Sequence, residues 1–286
     1  MSLNIDQFKV LSQIAEGRGS IPNQLRSLCE RYLLADCIDA NGLSDIGSER
    51  LEPYKVKRAI LLASGLGSRL LPLTLEKPKP MVEVCGRAII ETLINAIIKA
   101  GINEIIIVRG YKAEKFDVLL KKYPQIKFVE NPYYSVSNNI SSVYAARDFL
   151  DSCYIIEADL FLLNNRLIRK YQFTSNYLGI KCSETKDWFL KVDDFGRIKE
   201  LGQNGEDCYQ LVGISYWDCL SALKLKNHII ELFESDKNSQ LFWDEVALSI
   251  FREDFDLRVR ECSFADVFEI DSISDLKKLQ NLINKD

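Results

Sequence analysis

A single histidine, His228, serves all 286 residues. That scarcity argues against a histidine-rich zinc site, a HExxH helix and a Ser–His–Asp relay. His228 lies in the helix-like stretch LKLKNHIIELF and reads as structural. None of the eight cysteines forms a CxxC pair, and most stand inside apolar runs. Free thiols in a reducing cytoplasm are therefore expected, not a disulfide framework. No apolar run approaches the roughly 18 residues that a membrane span needs. The start, MSLNIDQFKV, lacks a basic region followed by an apolar core, so no secretory signal is expected. Charge of one sign is missing too: 37 Lys and Arg face 41 Asp and Glu, for a net charge of −4. Nothing there suggests nucleic acid held by bulk charge. Internal repeats and low-complexity segments are absent.

The composition, 47% hydrophobic and 27% charged, is that of an ordinary globular protein. Residues 1–55 read as a compact unit, too small for a generous core of its own. DQFKVLSQIAEG and IPNQLRSLCERYLLAD have helical spacing, CIDANGLSD looks like a small hairpin turning at Asn41–Gly42, and SDIGSERLEPY is a short tail. Residues 56–286 form the larger domain. Strands KRAILLA, EIIIVRG, IKFVEN and CYIIEAD alternate with helices AIIETLINAIIKAG, KAEKFDVLLKKY and NNISSVYAARDFL. That alternation predicts an α/β fold with a parallel sheet covered by helices. The second half is richer in strands: WFLKVDDFGRIKEL resembles a hairpin turning at Asp194 to Gly196, and YQLVGISYW is a strand. A helix near Leu223–Glu234, strands LRVREC and DVFEID, and a final helix SISDLKKLQNLINK follow.

The first strand opens into ASGLGSRLLPLTLEKPKPM, Ala63 to Met81. In an open parallel sheet, ligands sit beyond the carboxyl ends of the strands, where this loop falls. Gly65 and Gly67 let backbone N–H groups approach a bound phosphate with no Cβ in the way. Arg69 can make forked contacts to phosphate oxygens, and Lys79 offers a compact charge. Pro72, Pro78 and Pro80 stiffen the arm that carries them. Two familiar phosphate motifs do not fit: a P-loop needs Lys after its last glycine, and the dinucleotide fingerprint needs glycine where Leu70 stands.

The string GxGxRxxPxT followed by PKP resembles the signature of nucleotidyltransferases that join a nucleoside triphosphate to a phosphorylated small molecule. The resemblance implies a Rossmann-like fold with a mixed, mostly parallel central sheet. It implies that the loop from Leu62 through Ala63, Ser64, Gly65, Leu66 and Gly67 wraps the nucleotide phosphates. Arg69 would stabilise the pyrophosphate leaving group, and Lys79 would contact the phosphates near the reacting centre. Such transfer needs the triphosphate charge neutralised, usually by Mg²⁺ held on carboxylates. YIIEAD ends a hydrophobic strand in Glu157 and Asp159, spaced to share one side. The family has a D-x-D pair or similar here, so Asp159 carries over as a metal ligand. Asp271, in VFEIDSISDL, either shares the metal or simply starts the last helix. The attacking group would be a phosphate oxygen, already an anion, and no general base is required.

VENPYYSVSNNISSVY places Asn138 and Asn139 at a strand-to-helix junction, where either caps the helix or contacts base or ribose. Gly110 and Tyr111, in RGYK at another strand end, are further candidates for the base. All three tryptophans have an acid one residue away: Asp187–Trp188, Trp217–Asp218 and Trp243–Asp244. Aromatic faces plus carboxylates suit a quaternary ammonium, so Trp188, Tyr216, Trp217, Trp243 and Asp244 are candidates for a choline cage, core packing being the alternative for each tryptophan. NPYYSVSNNISSVYAARD, DWFLKVDDFGRI, GISYWD, FWDE and FEIDSISDL together look like the bacterial CTP:phosphocholine cytidylyltransferases of the lic type, over residues 56–284. That implies CTP + phosphocholine → CDP-choline + pyrophosphate, with 2-aminoethylphosphonate, phosphoethanolamine or a sugar 1-phosphate as rival acceptors. Glu157 stands where the family more usually has Asp. Residues 1–55 resemble a shortened winged-helix unit, for which docking or a homodimer is expected before DNA. A nucleotide-sensing DNA-binding regulator is the rival of another class.

Overall fold

A computed structural model describes residues 2–17, 22–39, 42–235 and 240–284. The chain forms two compact units, one of Met1–Val56 with Lys170–Phe173, the other of Lys57–Arg169 with Thr174–Asp286.

Among the described residues the first unit has three helices, α1 (Ile5–Glu16), α2 (Asn23–Arg31) and α3 (Asp45–Leu51). Asn4 and Gln7 close a capping box at the start of α1, and Phe8, Leu11 and Ile14 are buried on one face. The segment expected to be a tail is α3, capped by the Ser44 hydroxyl. One bridge joins Ile38 and Leu43, and Asn41 of the expected turn lies outside the described residues. Phe8, Tyr54 and Phe173 cluster, with Tyr54 and Phe173 stacked at 5.5 Å. Residues 170–173 thus complete a core that the first 56 could fill only in part.

The second unit is built on β1 (Arg58–Ala63), β4 (Glu104–Arg109), β5 (Ile126–Glu130), β6 (Cys153–Glu157), β8 (Asn176–Val192), β9 (Ile198–Trp217) and β10 (Arg258–Cys262). Two short pairs accompany them: β2 (Glu83–Val84) with β3 (Arg87–Ala88), and β7 (Leu160–Leu162) with β11 (Val267–Glu269). The main sheet runs β10-β8-β9-β6-β1-β4-β5. β1 is parallel to β4 and β6, β4 to β5, and β10 to β8, while β9 is antiparallel to β6 and β8. This is an α/β fold with a mixed, mostly parallel sheet. RAILLA, EIIIVR and CYIIE are apolar through their interiors because both faces of these strands are covered. Their register aligns Ile60 with Ile106 and with Ile155, so the carboxyl ends emerge together at Ala63, Arg109 and Glu157.

Among the described residues this unit has five helices: α4 (Ile89–Lys99), α5 (Ile140–Ala145), α6 (Cys219–Glu234), α7 (Trp243–Glu245) and α8 (Ile273–Ile283). α4 buries a face from Ile89 to Ile97 and stops before Gly101, whose φ of 77° suits glycine. Thr92 on α4 accepts the Leu162 N–H and ties the helix to β7. Residues 113–121, expected as an α-helix, form 3₁₀ turns instead. β8 and β9 are longer than the sequence pattern suggests, a single hairpin arm interrupted by bulges and turned at Gly196.

Candidate active site

The loop after β1 is held from behind. Gly67 adopts φ 63°, and a Cβ there would lie 2.9 Å from Lys79 Cβ. The Gly67 carbonyl accepts from Thr74 Oγ1 at 3.0 Å. Ser64 Oγ meets Ser142 Oγ at 2.7 Å, and the buried Asn131 amide donates to Ser64, Ser141 and Ser142. Among the described residues, none accepts a hydrogen bond from the backbone N–H of Gly65, Leu66 or Gly67. Those donors are left for a ligand, as an anion site requires.

Beyond the strand ends lies a cavity of about 390 Å³. It is lined by the loop from Leu62 to Gly67, by Arg69 and Lys79, by Asn138 and Asn139, and by Glu157 and Asp159. Gly110 and Tyr111 do not line it. Tyr111 donates its N–H to the Ser64 carbonyl and its hydroxyl to the Thr74 carbonyl, which places it as a brace behind the loop. A Cβ on Gly110 would lie 2.7 Å from the Tyr134 ring, so glycine there admits a cavity-wall tyrosine. Neither asparagine side chain caps α5: Asn138 donates to the Gln240 carbonyl, and Asn139 bonds Glu157 and Trp243.

Lys79 is 8% exposed and bridges two carboxylates, Asp159 at 2.9 Å and Asp271 at 2.8 Å. Burial works against its charge, but those two acids outweigh burial and raise its pKa. Arg69 makes a forked contact with Asp271, both bonds at 2.9 Å. The antiparallel pairing of β7 with β11 builds this cluster: Leu160 faces Glu269, and the Ile270 N–H donates to the Asp159 carbonyl. Asp159, Glu269 and Asp271 bring carboxylate oxygens within 4.8 Å of one another. Asp159 Oδ1 is buried without a hydrogen-bond partner. An all-carboxylate donor set with one orphaned oxygen fits a hard divalent cation. Asp271 belongs to this cluster, and Ser272 caps α8 in its place.

Glu269 is a member that sequence reasoning missed. Its spacing to Asp271 is the same as that of Glu157 to Asp159, so the signal was present. Much of the residue is open to solvent, yet its carboxyl is hemmed in. Loss of water around it, then the charges of Asp159 and Asp271, push it up to about 8. Glu157 is raised well above the carboxylate range, first by burial and then by Asp159 and Asp244. Burial likewise raises Asp244 to about 7.

The aromatic cage needs correction. Tyr216, Trp217 and Trp243 are core residues, 2%, 0% and 2% exposed. Trp217 meets Tyr177, Trp243 and Phe255 edge-on, Trp243 stacks on Tyr177, and Tyr216 packs on Tyr154. Their faces are consumed by one another and cannot hold an ammonium group. Asp218 caps α6, and Asp244 has a buried oxygen, Oδ1, without a partner. Only Trp188 remains half-buried, with its ring edge-on to the exposed Phe242 at 5.7 Å. His228 bonds Asp254 and stacks on Phe251, a structural role.

The family model for Nucleotidyl transferase matches residues 58–176. A 2-aminoethylphosphonate cytidylyltransferase of Lancefieldella rimae is 39% identical over 221 residues, covering 76% of this chain and 89% of that protein. The chain belongs to the nucleotidyltransferase family. A choline-phosphate cytidylyltransferase of Streptococcus pneumoniae is 34% identical, covering 80% of this nucleotidyltransferase and 99% of that protein. A solved structure of the CTP:phosphocholine cytidylyltransferase from Streptococcus pneumoniae superimposes with a TM-score of 0.75, at 34% identity, over 79% of this chain and 98% of that one. No described helix is long and apolar enough to cross a membrane.

Proposed function

We propose that the chain transfers the cytidylyl group of CTP to the phosphate or phosphonate of a small molecule that carries a cationic amine, releasing pyrophosphate. The observation that carries this reading is the convergence of Lys79, Arg69 and Asp159 on a cavity whose other wall is the glycine loop, with Asp271 bonded to both cations. In the reaction an acceptor oxygen attacks the α-phosphorus of CTP. The bond from that phosphorus to the bridging oxygen breaks, and pyrophosphate leaves with the electron pair. The attacking oxygen is already an anion, so no proton is removed and no histidine is needed.

The free N–H groups of residues 65–67 bind the triphosphate, and Lys79 and Arg69 stabilise charge as it moves to the leaving group. Asn138 and Asn139 line the same cavity, Asn139 with its side chain committed to Glu157 and Trp243. Asp159, Glu269 and Asp271 would hold Mg²⁺, which supplies further neutralisation of the triphosphate when bound.

For the acceptor, burial of Tyr216, Trp217 and Trp243 removes the faces a quaternary ammonium would use, while Glu157 remains on the cavity wall. A primary amine is held by carboxylates, so 2-aminoethylphosphonate or phosphoethanolamine is the favoured acceptor class. The relative from Lancefieldella rimae, named for 2-aminoethylphosphonate, is consistent with it. Phosphocholine is the second reading, favoured by the Trp188–Phe242 pair and by the relative from Streptococcus pneumoniae. Pyrophosphate release with Mg²⁺ tests both: each of the four nucleoside triphosphates is paired with 2-aminoethylphosphonate, phosphoethanolamine, phosphocholine and glucose 1-phosphate. Release with CTP and a primary amine is expected. Release with phosphocholine alone returns the second reading, and release only with glucose 1-phosphate refutes both.

A further inference from the structure

Where the ends of β1 and β5 meet α5, four side chains form a buried hydrogen-bonded group. Ser64 opens the glycine loop, Asn131 follows β5, and Ser141 and Ser142 stand on α5. Each is 5% exposed or less, and the three serines line the cavity. Asn131 Oδ1 accepts the Tyr133 N–H at 2.9 Å, which fixes the amide so that Nδ2 faces the hydroxyls. Nδ2 donates to Ser141 at 3.0 Å, Ser64 at 3.2 Å and Ser142 at 3.3 Å, sharing two protons among three oxygens. Ser141 gives its own proton to the Asn138 carbonyl at 2.7 Å. Ser64 and Ser142 meet at 2.7 Å.

One hydroxyl proton is left over. The Ser64–Ser142 bond uses one of the pair's two, and none of the described residues accepts the other. The hydroxyl that keeps it receives the Asn131 N–H on one lone pair and its partner's proton on the second. It is therefore a donor that has no lone pair left to accept with, at the wall of the cavity. Every group bonded to the pair is neutral. The cations of the cavity wall, among the described residues, are Arg69 and Lys79, and with the unpaired N–H groups of residues 65–67 they answer to phosphate. The pair is left for a neutral acceptor. Ribose hydroxyls turn to donate or accept, so a fixed donor chooses nothing there. The base has atoms of fixed polarity, and N3 of a pyrimidine accepts in cytosine but carries a proton in uracil.

We propose that the Ser64–Ser142 pair selects the base: its free O–H donates to N3 of cytosine and rejects uracil, whose N3–H would meet a donor. Asn131 is the positioning residue, since its N–H groups fill the lone pairs and so fix the direction of the bond. This rests on the cytidylyl-transfer reading above.

The readout is the ratio of kcat/KM for CTP to that for UTP, measured with the acceptor that the wild type turns over. Ser64→Ala and Ser142→Ala are the variants. Each leaves Asn131 two hydroxyls for its two N–H groups, so the fold should hold in thermal melting. If the substitution removes the hydroxyl that faces the base, CTP loses its bond. If it removes the partner, the facing hydroxyl regains a lone pair and can accept from uracil. Both lower the ratio, by about tenfold, the scale of one hydrogen bond, with acceptor KM unchanged. 3-Deaza-CTP, with C–H in place of N3, needs no variant: the wild type should use it about tenfold less efficiently than CTP. An unchanged ratio in the folded variants overturns the proposal, as does a wild type that takes 3-deaza-CTP as readily as CTP. Equal losses for CTP and UTP overturn it as well, because they assign the pair to an atom that both nucleotides share. A wild type that prefers another nucleotide to CTP, or releases no pyrophosphate with any, overturns the cytidylyl reading instead.

Discussion

Replacing Lys79 by methionine separates its two jobs, because Met keeps most of the volume and none of the charge. Lys79 is the internal counterion of Asp159 and Asp271, at 2.9 and 2.8 Å, on carboxylates whose side chains are 23% and 29% exposed. Those pairs fall between surface pairs and fully buried ones, so each is worth about 1–2 kcal/mol. Part of that is returned, since the ammonium no longer has to be buried. A net loss of about 2 kcal/mol lowers the melting temperature of a unit this size by about 4–8 °C. Without the lysine, Asp159, Glu269 and Asp271 face one another with only Arg69 nearby. A divalent cation should then stabilise the variant more than the wild type, through its higher affinity for the unneutralised cluster. Turnover should fall at least about a hundredfold, the scale of losing one donor to transition-state charge. Thermal melting with and without Mg²⁺, beside pyrophosphate release, measures all three. A rate within about threefold of wild type would refute the catalytic assignment. A Mg²⁺-induced shift no larger than that of the wild type would refute the counterion argument.

Asp159→Asn should abolish most turnover while the melting temperature holds, because it removes one of three crowded acids and leaves Lys79 paired with Asp271; a large loss of stability would mean the residue is structural. Gly67→Ala forces a left-handed φ on a side chain and drives a Cβ to 2.9 Å from Lys79, so CTP KM should rise about tenfold with a fold cost of about 1–2 kcal/mol. An unchanged KM would show that the loop does not hold phosphate. Stability should also fall as pH rises from about 4 to 7. Asp244 goes from 3.8 to about 7 on folding, so within that window the folded chain holds a proton that the unfolded chain has released. The stabilisation is complete below 3.8 and gone above about 7, and Asp244→Asn should flatten the slope of denaturant midpoint against pH. A slope unchanged in that variant would assign it to Glu157 and Glu269, which are raised in the same direction.

What could be read from the sequence follows from which physics is local. β1, β4 and β6 announce themselves because strands covered on both faces are apolar without alternation through their interiors. The glycine loop is legible because its backbone and charge demands fall on adjacent residues. Residues 113–121 mislead for a local reason too: Phe116 and Leu119, three apart, share a face in an α-helix and in a 3₁₀-helix alike. The β8–β9 arm is obscured by its bulges, and by Gly202 and Gly205, where glycine makes room for the Phe189 ring rather than a turn. The tryptophans fail for a different reason. A tryptophan beside an acid says nothing about which way either points, and strand alternation would normally decide. Here it cannot, because β9 lies between β8 and β6 in the interior of the sheet, so Tyr216 and Trp217 point to opposite faces and both are covered. Strand order is long-range information that no window of sequence carries. Glu269 is the opposite case: the i, i+2 pairing that drew attention to Asp159 holds equally for Glu269 and Asp271. The same spacing at both strand ends marks four acids: Glu157 and Asp159 on the cavity wall, and Glu269 and Asp271, which join Asp159 in the carboxylate cluster.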